Sequence, residues 1–291
     1  MTVRALYEVV APAKLNLFLH VVGRRPDGYH LLQSAIVLID WADTLHFERR
    51  ADAALRRHDL GAALPADDLC LRAARALQQA SGTDLGVDIA IDKQVPAGAG
   101  MGGGSSDAAT TLLALNRLWG LNWPRRQLMP LALALGADVP FFVGGNNALV
   151  EGIGERLTPL TIPQQWFAVV KPAAELSTAA IFASAKLVRD NPPDILLGSL
   201  AGAIAGPAPY GRNDLQPPAE ELCTELVQVA SWLSARFDNS RMTGSGSAVF
   251  ARAGTGDAPA ATFSAQALAP GWVGRMCRSL RAHPLRDWAE G

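Results

Sequence analysis

The sequence predicts a two-domain protein built from both strands and helices. Residues 87–92 alternate between apolar and polar side chains, as expected of a half-buried strand, and a glycine-rich loop separates them from leucines at helical spacing. Further along, Pro159 and Pro163 precede a short apolar run at 166–170 that is typical of a buried strand. A chain of 291 residues suits one large domain or two ordinary ones. We therefore expect domains over residues 1–160 and 161–291.

Composition narrows the class of protein. A net charge of -1 gives no electrostatic reason to expect a nucleic-acid or membrane partner, and no apolar stretch reaches the length of a membrane span. With 49% hydrophobic residues, the chain can bury a full core. The three cysteines, Cys70, Cys223 and Cys277, are too far apart for a disulfide framework or a zinc site. These features predict a soluble, cytoplasmic protein with buried free thiols.

The most informative stretch is the glycine loop at residues 96–104, which is followed by two serines. Glycines let backbone N–H groups approach an anion closely, and the N-terminus of the following helix adds partial positive charge. We expect Ser105 or Ser106 to cap that helix and to offer a hydroxyl to the same anion. A mobile linker is the alternative, but linkers are not usually bounded by an amphipathic strand and a capped helix. The loop is therefore predicted to bind phosphate.

Two common types of phosphate loop do not fit. A P-loop ends in Gly-Lys-Ser/Thr, whereas this loop ends without a lysine. Gly98, Gly100 and Gly103 spell the dinucleotide pattern G-x-G-x-x-G, but no acidic residue follows about 20 positions later to hold a ribose. The whole string, through Asp-Ala-Ala at 107–109, instead resembles the phosphate loop of the GHMP kinases, a superfamily that includes galactokinase and the homoserine and mevalonate kinases.

This resemblance implies a fold and an ATP site. The fold is α+β, with an N-terminal ATP-binding domain of the ribosomal protein S5 domain 2-like type, a ferredoxin-like C-terminal domain, and the active site between them. A second glycine turn, at 241–250, resembles the superfamily motif that packs against the phosphate loop. The residues that the resemblance assigns to ATP are Lys93, Pro96, Ala97, Gly98, Ala99, Gly100, Met101, Gly102, Gly103, Gly104, Ser105 and Ser106.

Two distant segments carry candidate catalytic residues. Lys14 and Asn16 share one face of a strand with the next two even-numbered residues, which alone favours an ordinary solvent-facing row. Asp138, after a helix, would alone be a loop aspartate satisfied by local N–H groups. However, Pro-Ala-Lys-x-Asn at 12–16 resembles the first motif of one branch of the GHMP kinases, and Gly-Ala-Asp-Val-Pro-Phe-Phe at 136–142 resembles the family's catalytic aspartate segment. The resemblance implies that Asp138 takes the proton of the attacking hydroxyl, Lys14 supports the developing charge and Asn16 orients the substrate.

The acceptor is indicated by Asp-Gly-Tyr-His at 27–30. Alone, a Tyr-His pair after a turn is more often the edge of a hairpin than a binding site. The segment resembles the one by which a branch of the GHMP kinases holds a cytosine ring, with Tyr29 stacking and His30 hydrogen-bonding. Thr178 and Phe182 match positions that face the cytidine in that branch. The implied reaction is ATP-dependent phosphorylation of the 2-hydroxyl of a small molecule, a cytidine diphosphate-linked methylerythritol, in isoprenoid precursor synthesis.

The metal, the rival functions and the assembly stay open at this point. The resemblance implies Mg²⁺ on the phosphates, with Ser105 or Ser106 as candidate ligands and no carboxylate assigned. Another GHMP kinase would use mevalonate, homoserine or a sugar, although these acceptors give no reason for an aromatic–histidine pair. A nucleotide-binding regulator on a degenerate kinase scaffold would not need both Lys14 and Asp138. The chain is expected to be a monomer or a homodimer.

Local patterns predict the remaining elements. Asp67 or Asp68 is expected to cap a helix that ends at Gly82. The branch usually has asparagine beside the nucleotide base at position 68, and an aspartate there keeps an acceptor but loses the amide donor. Pro130 predicts a kink, or a late start, in a helix that ends at residue 135. We further expect strands at 29–39, 43–49 and 146–151, and a polar connection at 50–65. In the second half we expect a helix with Leu222 on its apolar face, a loop at 191–211 and a helix at 260–268.

Overall fold

A computed structural model describes residues 3–191, 204 and 211–290. These residues form two β-sheets, whose strands lie within residues 5–159 and 165–278 respectively. The expected α+β fold is confirmed, while the domain boundary at residue 160 stays a prediction. The loop expected at 191–211 lies almost entirely outside the described residues.

The first sheet is arranged around a long hairpin. Its strand order is β3-β4-β2-β5-β6, with β1 paired to β2; β3 and β4 run parallel, and the other pairs are antiparallel. The strands are β1 (Ala5–Arg24), β2 (His30–Arg50), β3 (Leu55–Asp59), β4 (Gly86–Asp92), β5 (Ala148–Gly152) and β6 (Arg156–Pro159).

Two expectations for this sheet are wrong. The separate strands expected at 29–39 and 43–49 are one strand, β2, because the chain stays extended across a bulge where its register with β1 shifts between Pro12 and Lys14. The polar connection expected at 50–65 contains β3. This strand lies at the sheet edge, where charged side chains can reach water while the backbone pairs with β4.

Four helices pack with the first sheet in one hydrophobic core: α1 (Leu69–Ser81), α2 (Gly103–Leu118), α3 (Arg125–Leu135) and α4 (Val139–Gly144). The limits of α1 confirm the prediction, because Asp68 Oδ1 accepts a hydrogen bond from Leu71 N–H and Gly82 adopts a left-handed conformation. The late start expected for α3 is wrong, since the helix begins at Arg125 and continues through Pro130. The kink at Pro130 stays a prediction.

The second sheet has the order β10-β7-β9-β8 and is antiparallel throughout, as in a ferredoxin-like domain. Its strands are β7 (Gln165–Lys171), β8 (Arg241–Met242), β9 (Val249–Thr255) and β10 (Val273–Arg278). Between β7 and β8 the chain forms α5 (Thr178–Ala183), α6 (Gln216–Leu222) and α7 (Thr224–Phe237).

Two predictions in this half are wrong. Leu222 is exposed rather than part of an apolar face, because the helix is interrupted at Cys223, whose backbone is extended. The helix expected at 260–268 is reduced to a 3-10 turn at Ala265–Ala267. Ala260 N–H donates to Ala253 O instead, so this segment begins by pairing with the end of β9.

Strand β1 joins the two halves of the molecule. Leu19 N–H donates to Arg212 O at 2.9 Å, and Asp214 N–H donates back to Leu19 O at 2.8 Å. On the other strand of the hairpin, Ile39 forms an isolated bridge with Ser279, just after β10. Along 3–191 and 211–290, no helix has the length and apolar character needed to cross a bilayer.

A buried histidine near the C-terminus makes stability depend on pH. His283 is 2% exposed, and its Nδ1 accepts a hydrogen bond from Leu285 N–H at 3.1 Å. Burial, assisted by the charge of Arg125, lowers the pKa of His283 from 6.5 to about 4. Below pH 6.5 the imidazole of His283 is therefore protonated in the unfolded chain, whereas in the folded chain it becomes protonated only at about pH 4. Stability is lost as the pH falls through this window.

We expect His283→Asn to remove this pH dependence, because an asparagine oxygen can still accept the Leu285 N–H but does not titrate. Between pH 6.5 and 4, the wild type should lose roughly 3 kcal/mol more free energy of unfolding than the variant. Urea denaturation at several pH values measures the difference. Equal losses in the wild type and in H283N would contradict the assignment.

Candidate active site

The glycine loop between β4 and α2 is shaped by left-handed glycines. Gly98, Gly100 and Gly102 have φ values of 62°, 68° and 70°, which side chains disfavour. Helix α2 begins at Gly103 with Gly102 as its N-cap, so the expected capping by Ser105 or Ser106 is wrong. Because no side chain extends from the N-cap, the first N–H groups of the helix face the loop cavity, where an anion would be favoured.

The second glycine turn packs directly on this loop. Ser247 N–H donates to Gly98 O at 3.0 Å, and Ala248 N–H donates to Ala99 O at 3.1 Å. A Cβ atom on Gly100 would lie 2.3 Å from Thr243 O, a separation that real Cβ atoms do not show. The contact between the two turns that the sequence predicted is present, and it requires glycine at position 100.

Lys14 and Asp138 meet beside the loop. The Nζ atom of Lys14 lies 3.5 Å from Oδ2 of Asp138. The lysine side chain is 3% exposed and the aspartate side chain 41%, so the ammonium is enclosed while the carboxylate is open to solvent. Lys14 N–H also donates to Met101 O at 3.0 Å, which ties β1 to the glycine loop.

Asn16 holds the ammonium group of Lys14 by a hydrogen bond. Its Oδ1 accepts from Lys14 Nζ at 2.5 Å, and its Nδ2 donates to Ser34 Oγ at 2.8 Å. The backbone N–H of Asn16 donates to Thr243 Oγ1 at 3.0 Å, so the second half of the molecule also fixes this residue. Asn16 is buried rather than part of a solvent-facing row. Its contacts orient the lysine; its role in orienting substrate stays a prediction.

Lys93 is held between two buried carboxylates. Its Nζ donates to Asp43 Oδ2, and to Asp107 Oδ2 at 2.5 Å. Asp43 also accepts from the backbone N–H groups of Gln94 and Val95, at 2.6 and 2.7 Å, and so fixes the entrance of the loop. Burial raises the pKa of Asp107 well above its usual range, although the Lys93 ammonium opposes the shift.

Sequence reasoning missed both aspartates. Asp43 lies inside a strand pattern, and Asp107 belongs to the Asp-Ala-Ala segment that follows the glycine loop. The sequence offered one signal for this pair: Asp107 lies in the first turns of the predicted helix, 14 positions after Lys93.

A cavity of about 480 Å³ lies over the loop and is lined by Lys93, Ser105 and Asp68, together with loop residues. The two serines differ, because Ser106 is buried and its Oγ donates to Pro12 O at 2.7 Å. Asp68 is engaged as the α1 cap and pairs with Arg57 at 2.9 Å. Of the two hydroxyls considered for Mg²⁺, that of Ser105 therefore remains as a candidate ligand. Within the described part of the chain, no cluster of three or more His, Cys, Asp or Glu residues could hold a metal ion.

A second cavity, of about 580 Å³, adjoins the ion pair, since Ala137 lines it directly before Asp138. Tyr29, His30 and Phe182 line it as well. The His30 and Phe182 rings are stacked, with centroids 4.8 Å apart and an interplanar angle of 29°. The structure thus brings together Tyr29 and His30, at the start of β2, and Phe182 in α5, as the sequence predicted.

Thr178, at the start of α5, makes a hydroxyl–hydroxyl hydrogen bond of 2.7 Å with Ser245. Its side chain therefore contacts the second glycine turn. Its place beside the substrate stays a prediction, as do the binding roles of the other residues assigned from the motifs.

Comparison with known proteins defines the class. The model for the N-terminal domain of GHMP kinases matches residues 68–146, and the model for the C-terminal domain matches residues 196–268. The chain belongs to the GHMP kinase family, and the resemblance inferred from its motifs is confirmed. A homoserine kinase structure from Cytophaga hutchinsonii shares the fold, with a TM-score of 0.64 at 16% identity over 96% of this chain and 95% of that one.

Closer relatives share one name. The chain is 63% identical over 290 residues to the 4-diphosphocytidyl-2-C-methyl-D-erythritol kinase of Methylibium petroleiphilum, covering 99% of this chain and 100% of that protein. It is 55% identical to the enzyme of that name from Polaromonas naphthalenivorans, over 98% and 96% of the two chains. A crystal structure of a 4-(cytidine 5'-diphospho)-2C-methyl-D-erythritol kinase matches with a TM-score of 0.79 and 36% identity, over 94% and 98%.

The close approach of the two glycine turns leads to a prediction for Gly100→Ala. The new methyl group would meet Thr243 O and would sit on a backbone with φ of 68°, so the turns must separate. We expect a loss of at least about 2 kcal/mol in the free energy of unfolding, measured by urea denaturation. Gly61→Ala is the control, because no atom lies within 4 Å of its added Cβ. Equal effects of the two substitutions would contradict the role of Gly100.

Proposed function

We propose that this chain is an ATP-dependent kinase that phosphorylates the 2-hydroxyl of 4-diphosphocytidyl-2-C-methyl-D-erythritol, giving ADP and the 2-phosphate, in the synthesis of isoprenoid precursors. The observation that carries the proposal is the position of the Lys14–Asp138 pair, between a glycine loop suited to phosphate and a cavity with stacked aromatic rings. The shared name of relatives that are 55–63% identical over nearly the whole chain supports it.

The chemistry assigned to the pair follows from its exposure. Phosphoryl transfer depends mainly on positioning and on stabilisation of charge. The exposed Asp138 carboxylate accepts the proton of the attacking hydroxyl, and the buried Lys14 ammonium stabilises the carboxylate and the developing alkoxide. The N–H groups at the start of α2 hold the phosphates of ATP. Asn16 keeps the lysine in place.

Other parts of the proposal concern the metal and the surroundings. Mg²⁺, held by the phosphates and by the Ser105 hydroxyl, supplies charge neutralisation on the transferring group when it is bound. Lys93, which lines the cavity over the loop, contacts the nucleotide at the loop entrance. Three buried free thiols support a reducing compartment, the cytoplasm. The enzyme works as a monomer or homodimer on a small molecule, without nucleic acid or membrane.

A GHMP kinase for another acceptor is the alternative. Mevalonate, homoserine and sugars contain no flat heteroaromatic ring, so they would leave the stacked pair in the second cavity without a function. Turnover of ATP in the presence of the cytidylyl substrate, compared with each of those acceptors, distinguishes the alternatives.

Asp138→Asn should preserve the size of the side chain while removing the base. We expect kcat to fall roughly 10²- to 10⁴-fold, because general base catalysis contributes about that much. The Kd for ATP should be nearly unchanged, since the nucleotide cavity is formed by other residues. Steady-state kinetics and ATP binding measure the two effects. Asp84→Asn, at an exposed position, is the matched control, and a D138N enzyme that keeps its kcat would refute the mechanism.

Tyr29→Ala should weaken binding of the acceptor alone. Stacking of a base on an aromatic side chain is worth about 1–3 kcal/mol, so KM for the cytidylyl substrate should rise about tenfold or more. KM for ATP should barely change. Tyr7→Ala is a matched control, because Tyr7 is 61% exposed and Tyr29 63%. Equal losses for both substrates would show that Tyr29 has a structural role only.

A further inference from the structure

The imidazole of His30 is hydrogen-bonded to Arg189, which lies in the segment that follows α5. Arg189 Nε–H donates to His30 Nε2 at 3.2 Å. The guanidinium is itself fixed, because its Nη1 donates to Leu187 O at 2.9 Å and its Nη2 donates to the carbonyl oxygens of Phe182 and Ser184, at 2.8 and 2.9 Å. The contacts with three carbonyl groups keep the Nε–H directed at the imidazole.

The direction of this hydrogen bond decides the tautomer of His30. An arginine side chain carries donors only and remains protonated at all ordinary pH values. The Nε2 atom of His30 must therefore be the acceptor, and the single proton of the neutral imidazole must lie on Nδ1. A second proton, on Nε2, would place two donors and two positive charges against each other, so Arg189 also opposes the imidazolium form.

The other charged groups around His30 leave the ring neutral. Burial, the charge of Arg189 and the charge of Arg24 lower the pKa of His30. Asp27 also lines the cavity, but its carboxylate is paired with Arg25 at 2.8 Å. Since the ring is stacked on Phe182, its plane is fixed. The Nδ1–H of His30 is therefore a donor with a set direction at physiological pH.

We propose that Arg189 is a positioning residue that selects the base: by holding His30 in its Nδ1–H tautomer, it makes the second cavity favour a cytosine ring over a uracil ring. The inference rests on the proposed function, in which this cavity takes the cytosine of the substrate. Cytosine presents N3 as an acceptor, with which the Nδ1–H of His30 can pair. Uracil carries a hydrogen on N3, which would oppose the donor of His30. A buried donor left facing another donor lowers affinity roughly tenfold to a hundredfold.

Arg189→Met tests the proposal, because methionine removes the donor and keeps an unbranched side chain. The probes are cytidine 5'-diphosphate and uridine 5'-diphosphate, bound to the full chain and measured by calorimetry. We expect the wild type to prefer the cytidine compound about tenfold or more, and R189M to prefer it less than about threefold. Arg189→Lys keeps a cationic donor and should restore part of the preference.

Lys186→Met is the matched control. It replaces a cation in the same segment, but Lys186 is 62% exposed and pairs with Glu221 at 2.9 Å. The wild-type preference should persist in this variant. Saturating kcat for the cytidylyl substrate should stay within about twofold in R189M, since Arg189 acts through His30 and not on the reacting groups.

Nitrogen-15 NMR of labelled histidine gives a readout that a merely structural role would not change. The free wild-type enzyme should show His30 as the Nδ1–H tautomer, and R189M should show a mixture with a raised pKa. Thermal unfolding checks that R189M is folded, and Arg189→Leu, which also removes the donor, replaces it if it is not. An unchanged tautomer, or an unchanged preference between the two diphosphates, overturns the role of Arg189. A wild type that turns over no cytidylyl substrate contradicts the proposed function instead, and the tautomer measured in the free enzyme still decides the role of Arg189.

Discussion

The side-chain-free contact between the two glycine turns is the constraint on which the active site depends. Gly100 lies so close to Thr243 O that a methyl group does not fit, and the neighbouring carbonyls accept hydrogen bonds from Ser247 and Ala248. Within the loop, Met101 O accepts a hydrogen bond from the backbone N–H of Lys14. Main-chain groups from both halves of the molecule thus place the phosphate cradle and the lysine in one rigid frame.

The two lysines of the site are neutralised to different degrees. Lys93 lies between two buried carboxylates, so its positive charge is compensated before any nucleotide is present. Lys14 pairs with one carboxylate, which is partly exposed. The ammonium of Lys14 therefore keeps more capacity than that of Lys93 to stabilise the negative charge that the proposed reaction builds up.

Sequence patterns predicted what local physics decides. The strand before the glycine loop, the capped helix that ends at Gly82 and the strand at β7 follow from periodicity and from glycine chemistry. The approach of Lys14 to Asp138 could be predicted only through resemblance, because more than a hundred residues separate them and no local signal joins them. Alternation made Asn16 look solvent-facing, since periodicity cannot show that a second sheet covers the strand.

The contacts that sequence reasoning missed are those between distant polar groups. Asp43 and Asp107 converge on Lys93, and Arg189 reaches His30 from 159 positions away. A polar residue near a turn or on a helix has many local uses, and the fold alone decides which distant partner it meets. The serines at the start of α2 show the opposite error, in which a local role was predicted and a distant contact is found. Gly102 is the N-cap, and the Ser106 hydroxyl donates to Pro12 O in β1 instead.

The burial of the active-site amines has a consequence for chemical labelling of this protein. The chain has four lysines, and three of them are enclosed: Lys14 and Lys171 are buried, and Lys93 is held by its two aspartates. The amine of Lys186 stands out into water. A dye or a sensor surface that reacts with amines would therefore attach through Lys186 in preference to the other three lysine side chains, which leaves the two lysines of the phosphate cradle chemically intact.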